Sequence, residues 1–332
     1  MLRFALFGAG RIGRMHADNL VKHPKAALAW VYDVVEASAG EVAKRHGAER
    51  ASSVGEALAD PAVDAVLIAS STDTHVDLIQ AAVEAGKAVL CEKPIDLDIG
   101  RVDACWAAIR DRNPRVMLGF NRRFDPSFKA VRDACQAGEI GAVRQVQITS
   151  RDPEVPSVAY MKAAGGLLRD MTIHDFDLAR YLLGEEPVRV ACFAQALIAQ
   201  EVRDLDDHDT AMVLLETAGG RQACITNYRR AVYGYDQRIE IVGETGMLKA
   251  ENRRPTTVER WTKDRTEAKD PILHFFIERY QEAYNAEIGA FVEAVEAGAP
   301  MPVTFEDGRR ALLLANAAYE SLRTGAAVTV EE

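Results

Sequence analysis

The stretch Arg3-Phe4-Ala5-Leu6-Phe7-Gly8-Ala9-Gly10-Arg11-Ile12-Gly13 decides the fold. An apolar run of strand length passes directly into a G-x-G-x-x-G turn, and Ile12–His23 beyond it has helical spacing. That context turns a weak motif into a dinucleotide-site signature. Gly8 permits the tight turn, Gly10 lets backbone approach a pyrophosphate, and Gly13 lets the helix lie close to the strand. Arg11 and Ile12 complete the turn at a helix N-terminus, where N–H donors and the positive dipole end favour an anion. Asp33 follows twenty residues after Gly13, at the end of the next strand. A carboxylate there accepts ribose hydroxyls and repels a 2′-phosphate, and Val34-Val35-Glu36 supplies no arginine to receive one. The cofactor expected is NAD; a plain strand-end cap is the other reading of Asp33.

Outward from this turn, Leu28–Asp33, Ala65–Ala69, Ala88–Cys91 and Val116–Gly119 read as further strands. Glu36–His46, Thr74–Ala85 and Val102–Arg110 read as helices between them. Strands alternating with helices predict a doubly wound α/β domain with a parallel sheet over residues 1–120. After Asn121 strand patterns crowd together, at Val143–Thr149, Val188–Ala194, Thr210–Glu216, Gln222–Tyr228 and Arg238–Val242. A second α/β domain over 121–332 is expected, with a large, mostly antiparallel sheet. Helices at Pro126–Gln136, Met171–Leu183, Phe275–Ala297 and Phe305–Arg323 would cover it.

Composition narrows the function classes. The 332 residues are 48% hydrophobic and 27% charged, and 40 Lys+Arg against 50 Asp+Glu leave a formal charge of −10. That balance argues against a nucleic-acid partner, which needs a basic face. No apolar run approaches the ~18–20 residues of a membrane span, and the first residues do not look like a leader. Five scattered cysteines form no C-x-x-C pair, so neither a disulfide framework nor a structural zinc site is expected. A cytoplasmic setting is the expectation.

Three further places carry candidate chemistry. Glu92-Lys93-Pro94 closes the strand Ala88–Cys91, and ligands of open α/β sheets bind beyond such strand ends. Lys93 there can reach a nicotinamide or be an ordinary surface lysine. Asp170 and His174 are four residues apart, on one helical face, with Asp177 nearby. A carboxylate beside an imidazole suits proton transfer near neutral pH; a capped helix start with a buried histidine is the bland alternative. Ser71, Thr72 and His75 open the helix after the fourth strand, as cofactor contacts or as a cap. No metal site is expected.

Taken together, the glycine fingerprint, Glu92-Lys93-Pro94 and the Asp170/His174 helix resemble the Gfo/Idh/MocA family of sugar and cyclitol oxidoreductases. Ser150-Arg151-Asp152-Pro153, Asp170–Leu178 and Arg229–Arg238 resemble its inositol branch, and Asn121–Asp125 a motif of the wider family. The resemblance implies a Rossmann domain, then an α/β domain whose open sheet mediates a homotetramer. It implies NAD-linked oxidation of myo-inositol at the 2-hydroxyl to scyllo-inosose, with related inositols or glucose as alternative substrates. It carries Lys93, Asp170 and His174 over as the catalytic set. Arg123, Asp152, Asp177 and Tyr235 are carried over as substrate contacts. The segment Leu205–Ala211, with His208, departs from the branch pattern. A non-catalytic NAD-binding sensor on the same fold is the competing class.

Overall fold

The structure, a computed structural model, describes residues 1–331, which divide into two compact units. The first comprises Met1–Asn121 with Ala283–Leu312, the second Arg122–Glu282 with the residues from Leu313 onward.

In the first unit β1 (Leu2–Phe7), β2 (Ala26–Tyr32), β3 (Glu49–Arg50), β4 (Ala65–Ile68), β5 (Ala88–Cys91) and β6 (Val116–Leu118) form one parallel sheet in the order β3-β2-β1-β4-β5-β6. Every residue of β4 and β5 is buried, as their unbroken apolar runs predict for strands covered on both faces. The intervening helices are α1 (Arg11–Leu20), α2 (Glu36–His46), α3 (Val54–Ala59), α4 (His75–Glu84) and α5 (Ile99–Ile109). The strand order reverses between β1 and β4, and such a switch point is where an α/β sheet opens a ligand crevice.

The second unit is built on β7 (Val143–Arg151), β8 (Pro187–Gln195), β9 (Thr210–Thr217), β10 (Gln222–Tyr228), β11 (Asp236–Gly243) and β12 (Met247–Ala250). A small hairpin, β13 (Glu259–Arg260) with β14 (Ala268–Lys269), stands apart, and β15 (Val328–Thr329) adds an edge to β8. The large sheet runs β12-β11-β7-β10-β9-β8-β15, antiparallel except where β7 and β10 lie parallel. Helices α6 (Pro126–Gln136), α7 (Val158–Ala164), α8 (Leu167–Asp170), α9 (Thr172–Leu183), α10 (Gln200–Asp204) and α11 (Phe276–Arg279) accompany it. On the uncovered face, alternate residues of β8 and β9 leave Phe193, Met212 and Leu214 exposed.

The last helices are α12 (Gln281–Ala297) and α13 (Phe305–Thr324). The part of α12 within the first unit turns buried Ile288, Phe291 and Val292 inward, Phe291 meeting Phe4 of β1 at 5.7 Å between ring centroids. The single helix predicted over Phe275–Ala297 is broken at Tyr280. There Arg279 turns inward to pair with Asp125, and Tyr280 packs edge-on against Tyr235. Among the described residues no helix is long and apolar enough to cross a membrane.

Candidate functional site

Each unit carries its own part of the chemistry. In the first, Gly8 adopts φ +100°, and a Cβ on it would lie 2.5 Å from the backbone of Ala69 and Ser70. A Cβ on Gly13 would sit 1.9 Å from the Gly8 carbonyl oxygen. Gly10 has nothing within 4 Å of that position. The first and third glycines are therefore demanded by the protein's own backbone, and the second by space left open for something else. Helix α1 starts at this turn with no side-chain cap and no acidic residue in its first turn, as an anion-receiving N-terminus requires. Arg11 is exposed and Ile12 half-buried at its head. The Asp33 carboxylate accepts from the Ala9 N–H at 2.6 Å and the Val35 N–H at 2.7 Å. It thus braces the glycine turn while its remaining lone pairs are available to ribose hydroxyls. These residues fit a dinucleotide: α1 for the pyrophosphate, Asp33 for the ribose.

Beyond β4, Thr72 begins a single 3-10 turn, Ser71 is exposed, and His75 opens α4. His75, expected as a cofactor contact, has both ring nitrogens turned to backbone carbonyls. It is 1% exposed, and its ring nitrogens lie 2.8 Å from the Pro94 carbonyl oxygen and 3.2 Å from that of Ser70. Burial lowers its pKa, so the ring is a neutral tie between two strand-end turns. One of those turns holds half-buried Lys93, joined to Pro94 by a cis bond. Glu92 reaches the other way, its Oε1 2.7 Å from Nε2 of buried His16 on α1. Burial, with the Glu92 charge adding to it, pushes the Glu287 carboxyl well above the ordinary range.

In the second unit, Asp152 follows β7 and Arg229 follows β10, so the parallel pairing of these strands brings the two side by side. Asp170 ends α8, and Met171, in right-handed helical conformation, links it to α9 with the Met171 N–H still donating to Leu167. The His174 N–H donates to the Met171 carbonyl at 3.3 Å, so Asp170 and His174 stand on successive helices rather than on the one continuous helix their spacing predicts. The Asp170 carboxylate accepts from Arg229 Nη2 and from the Tyr160 hydroxyl, each at 2.7 Å. Burial raises the Asp152 carboxyl to about 6; Arg229 pulls it down and Asp170 lifts it further. Under the first turn of α9, Thr172 donates to Asn227, which donates to Asp175, itself paired with Arg122. This buried network fixes the helix that carries His174.

Three expected substrate contacts, Arg123, Asp177 and Tyr235, have protein partners or lie inside the fold. Asp177 is 1% exposed, and both its oxygens accept from Arg123, so these residues form one bidentate pair rather than two free recognition groups. Tyr235 is buried, its hydroxyl pKa raised well up by burial although Arg122 opposes the shift. His208 stands near Tyr319, and its neighbour Asp207 accepts from the Leu167 N–H at the start of α8. The departing segment therefore supports the Asp170 helix from behind. Tyr160 and Asn227 escape motif reading, while Arg229 and Arg122 lie in stretches that carry the family resemblance but received no role of their own.

Comparison with known proteins agrees with both halves. Residues 2–120 match the family described as an oxidoreductase family with an NAD-binding Rossmann fold, and residues 128–249 match the GFO/IDH/MocA C-terminal domain. Inositol 2-dehydrogenase of Rhizobium meliloti (strain 1021) is 51% identical over 322 residues, 97% of each chain. Myo-inositol 2-dehydrogenase of Thermotoga maritima is 42% identical over 332 residues, covering 100% of this chain and 99% of its own. The crystal structure of a myo-inositol dehydrogenase from Corynebacterium glutamicum superposes with a TM-score of 0.97 at 46% identity, over 100% of this chain and 99% of that one. NAD is the cofactor, and the chain belongs to the Gfo/Idh/MocA family of oxidoreductases.

Proposed function

We propose that this protein is an inositol 2-dehydrogenase, oxidising myo-inositol at its 2-hydroxyl to scyllo-inosose. What supports the reading is an Asp170 carboxylate held by Arg229 near Asp152, four residues before His174 across the α8–α9 junction, in a chain half identical to a relative of that name. In this reading the unit of Met1–Asn121 with Ala283–Leu312 holds the cofactor, and the other unit receives the polyol and assembles the homotetramer through the uncovered sheet face.

NAD, when bound, supplies the acceptor for the hydride leaving the carbinol carbon. His174 takes the hydroxyl proton, and Asp170 orients the imidazole and stabilises its charged form. The role carried over to Lys93 by the resemblance is to stabilise the developing negative charge on the reacting oxygen, worth up to about 3–4 kcal/mol in a dry site. Asp152 accepts from a neighbouring hydroxyl and selects orientation, while Tyr235 and the Arg123–Asp177 pair shape the surface the ring rests on. A panel of myo-, scyllo- and D-chiro-inositol and glucose, each with NAD and NADP, tests the reading by absorbance of the reduced nicotinamide. Fastest turnover with myo-inositol and NAD is expected. Preference for another inositol moves the substrate, and silence with every polyol abandons the dehydrogenase in favour of a sensor.

A further inference from the structure

Arg229 is 1% exposed, and a guanidinium so placed must be matched by negative charge. Its backbone N–H is pinned to the Asp209 carbonyl oxygen at 2.9 Å. Burial works against its charge, and the carboxylates of Asp170, Asp152 and Asp207 overcome that, raising its pKa. One cation thus faces three acids, and they do not share it equally. The bond from Nη2 goes to Asp170, whose other oxygen is held by Tyr160 of α7, while Asp207 is occupied with the Leu167 N–H. Burial raises the Asp152 carboxyl to about 6, Arg229 pulls it down and Asp170 lifts it further.

We propose that Arg229 is a positioning residue: its buried guanidinium, with the Tyr160 hydroxyl, keeps the Asp170 carboxylate ionised and in one orientation, so that the carboxylate can serve His174. The use made of that carboxylate rests on the dehydrogenase reading; its state of charge does not. Arg229 beyond β10, Tyr160 of α7 and Asp152 beyond β7 face Asp170.

The test follows the Asp170 carboxyl by carbon-13 NMR across pH without substrate, assigned against Asp170→Asn. In Arg229→Gln it titrates at least one unit higher than in the parent, a tenfold change in proton affinity. Arg229→Lys keeps it near the parental value, and Tyr160→Phe raises it by a smaller step. Kinetically, Arg229→Gln lowers kcat with KM for NAD unchanged, moves the acid limb of kcat upward, and costs nothing further in an Asp170→Asn background. An unmoved Asp170 titration in Arg229→Gln overturns the proposal, as does full additivity with Asp170→Asn. If Arg229→Gln does not fold, an unmoved titration in Tyr160→Phe, at a residue 43% exposed, does the same. A parent protein inert toward every polyol removes the dehydrogenase reading and leaves the carboxyl titration to judge Arg229.

Discussion

Asp152 is an acid close to losing its charge under ordinary conditions, because burial has lifted it to about 6. Ionised, it accepts from a hydroxyl; protonated, it loses that role. Polyol kcat/KM is therefore expected to fall as pH drops through 6, and Asp152→Asn should flatten that limb while raising KM. The stability sign follows from the same shift. A carboxyl raised in the folded state binds its proton more tightly there, so this contribution favours folding below about pH 4 and is lost as pH rises through 6. Thermal melts should show Asp152→Asn gaining on the parent at pH 8 and losing that gain at pH 4. His174→Ala is expected to lower turnover roughly 10²–10⁴-fold, with NADH fluorescence titration unchanged; near-parental turnover removes it from the mechanism. Lys93→Arg should fail too, since a planar fork does not replace a compact ammonium. At this scale the sequence exposes residues whose neighbours in the chain explain them. Asp170 and His174 are legible because they stand four residues apart in the chain. That Arg229 and Asp152 meet is not, because 77 residues separate strands that only the folded sheet lays side by side.

Among elements, the strand–turn–helix at the amino terminus separates two uses of glycine. Gly13→Ala forces a Cβ onto the Gly8 carbonyl and should cost about 1–3 kcal/mol or more, visible as a lowered Tm. Gly10→Ala meets nothing, so the fold should melt within a degree or so of the parent while NADH affinity drops at least tenfold. Equal losses of Tm in both would show that Gly10 too is structural. Asp33→Ala should weaken NAD relative to NADP and also loosen the turn, because the carboxylate holds the Ala9 N–H; an unchanged cofactor ratio rejects its ribose role. The parallel strands are readable because burial on both faces leaves unbroken apolar runs. The two-residue β3, β13, β14 and β15 are invisible, being too short for any period. The break at Tyr280 is invisible because its cause lies in Asp125 and Tyr235, remote in sequence.

For the whole molecule, the uncovered sheet face bears directly on assembly. Phe193 is 74% exposed, with Met212 and Leu214 beside it on alternate positions of paired strands, an apolar surface of the kind that marks contact between chains. A homotetramer is expected by light scattering coupled to size exclusion, and Met212→Glu with Leu214→Glu should reduce it to smaller species. A monomeric parent would leave that face without the proposed purpose. The return of Ala283–Leu312 to the nucleotide-binding unit has a consequence for biosynthesis. When Asn121 leaves the ribosome, Phe4 still lacks Phe291. At roughly 5–20 residues per second the missing piece follows about 10–40 s later. Throughout that interval the nascent amino-terminal sheet has one flank bare, so chaperone capture should peak there, and chains cut short before Ala283 should be degraded rather than accumulate as a stand-alone nucleotide-binding fragment.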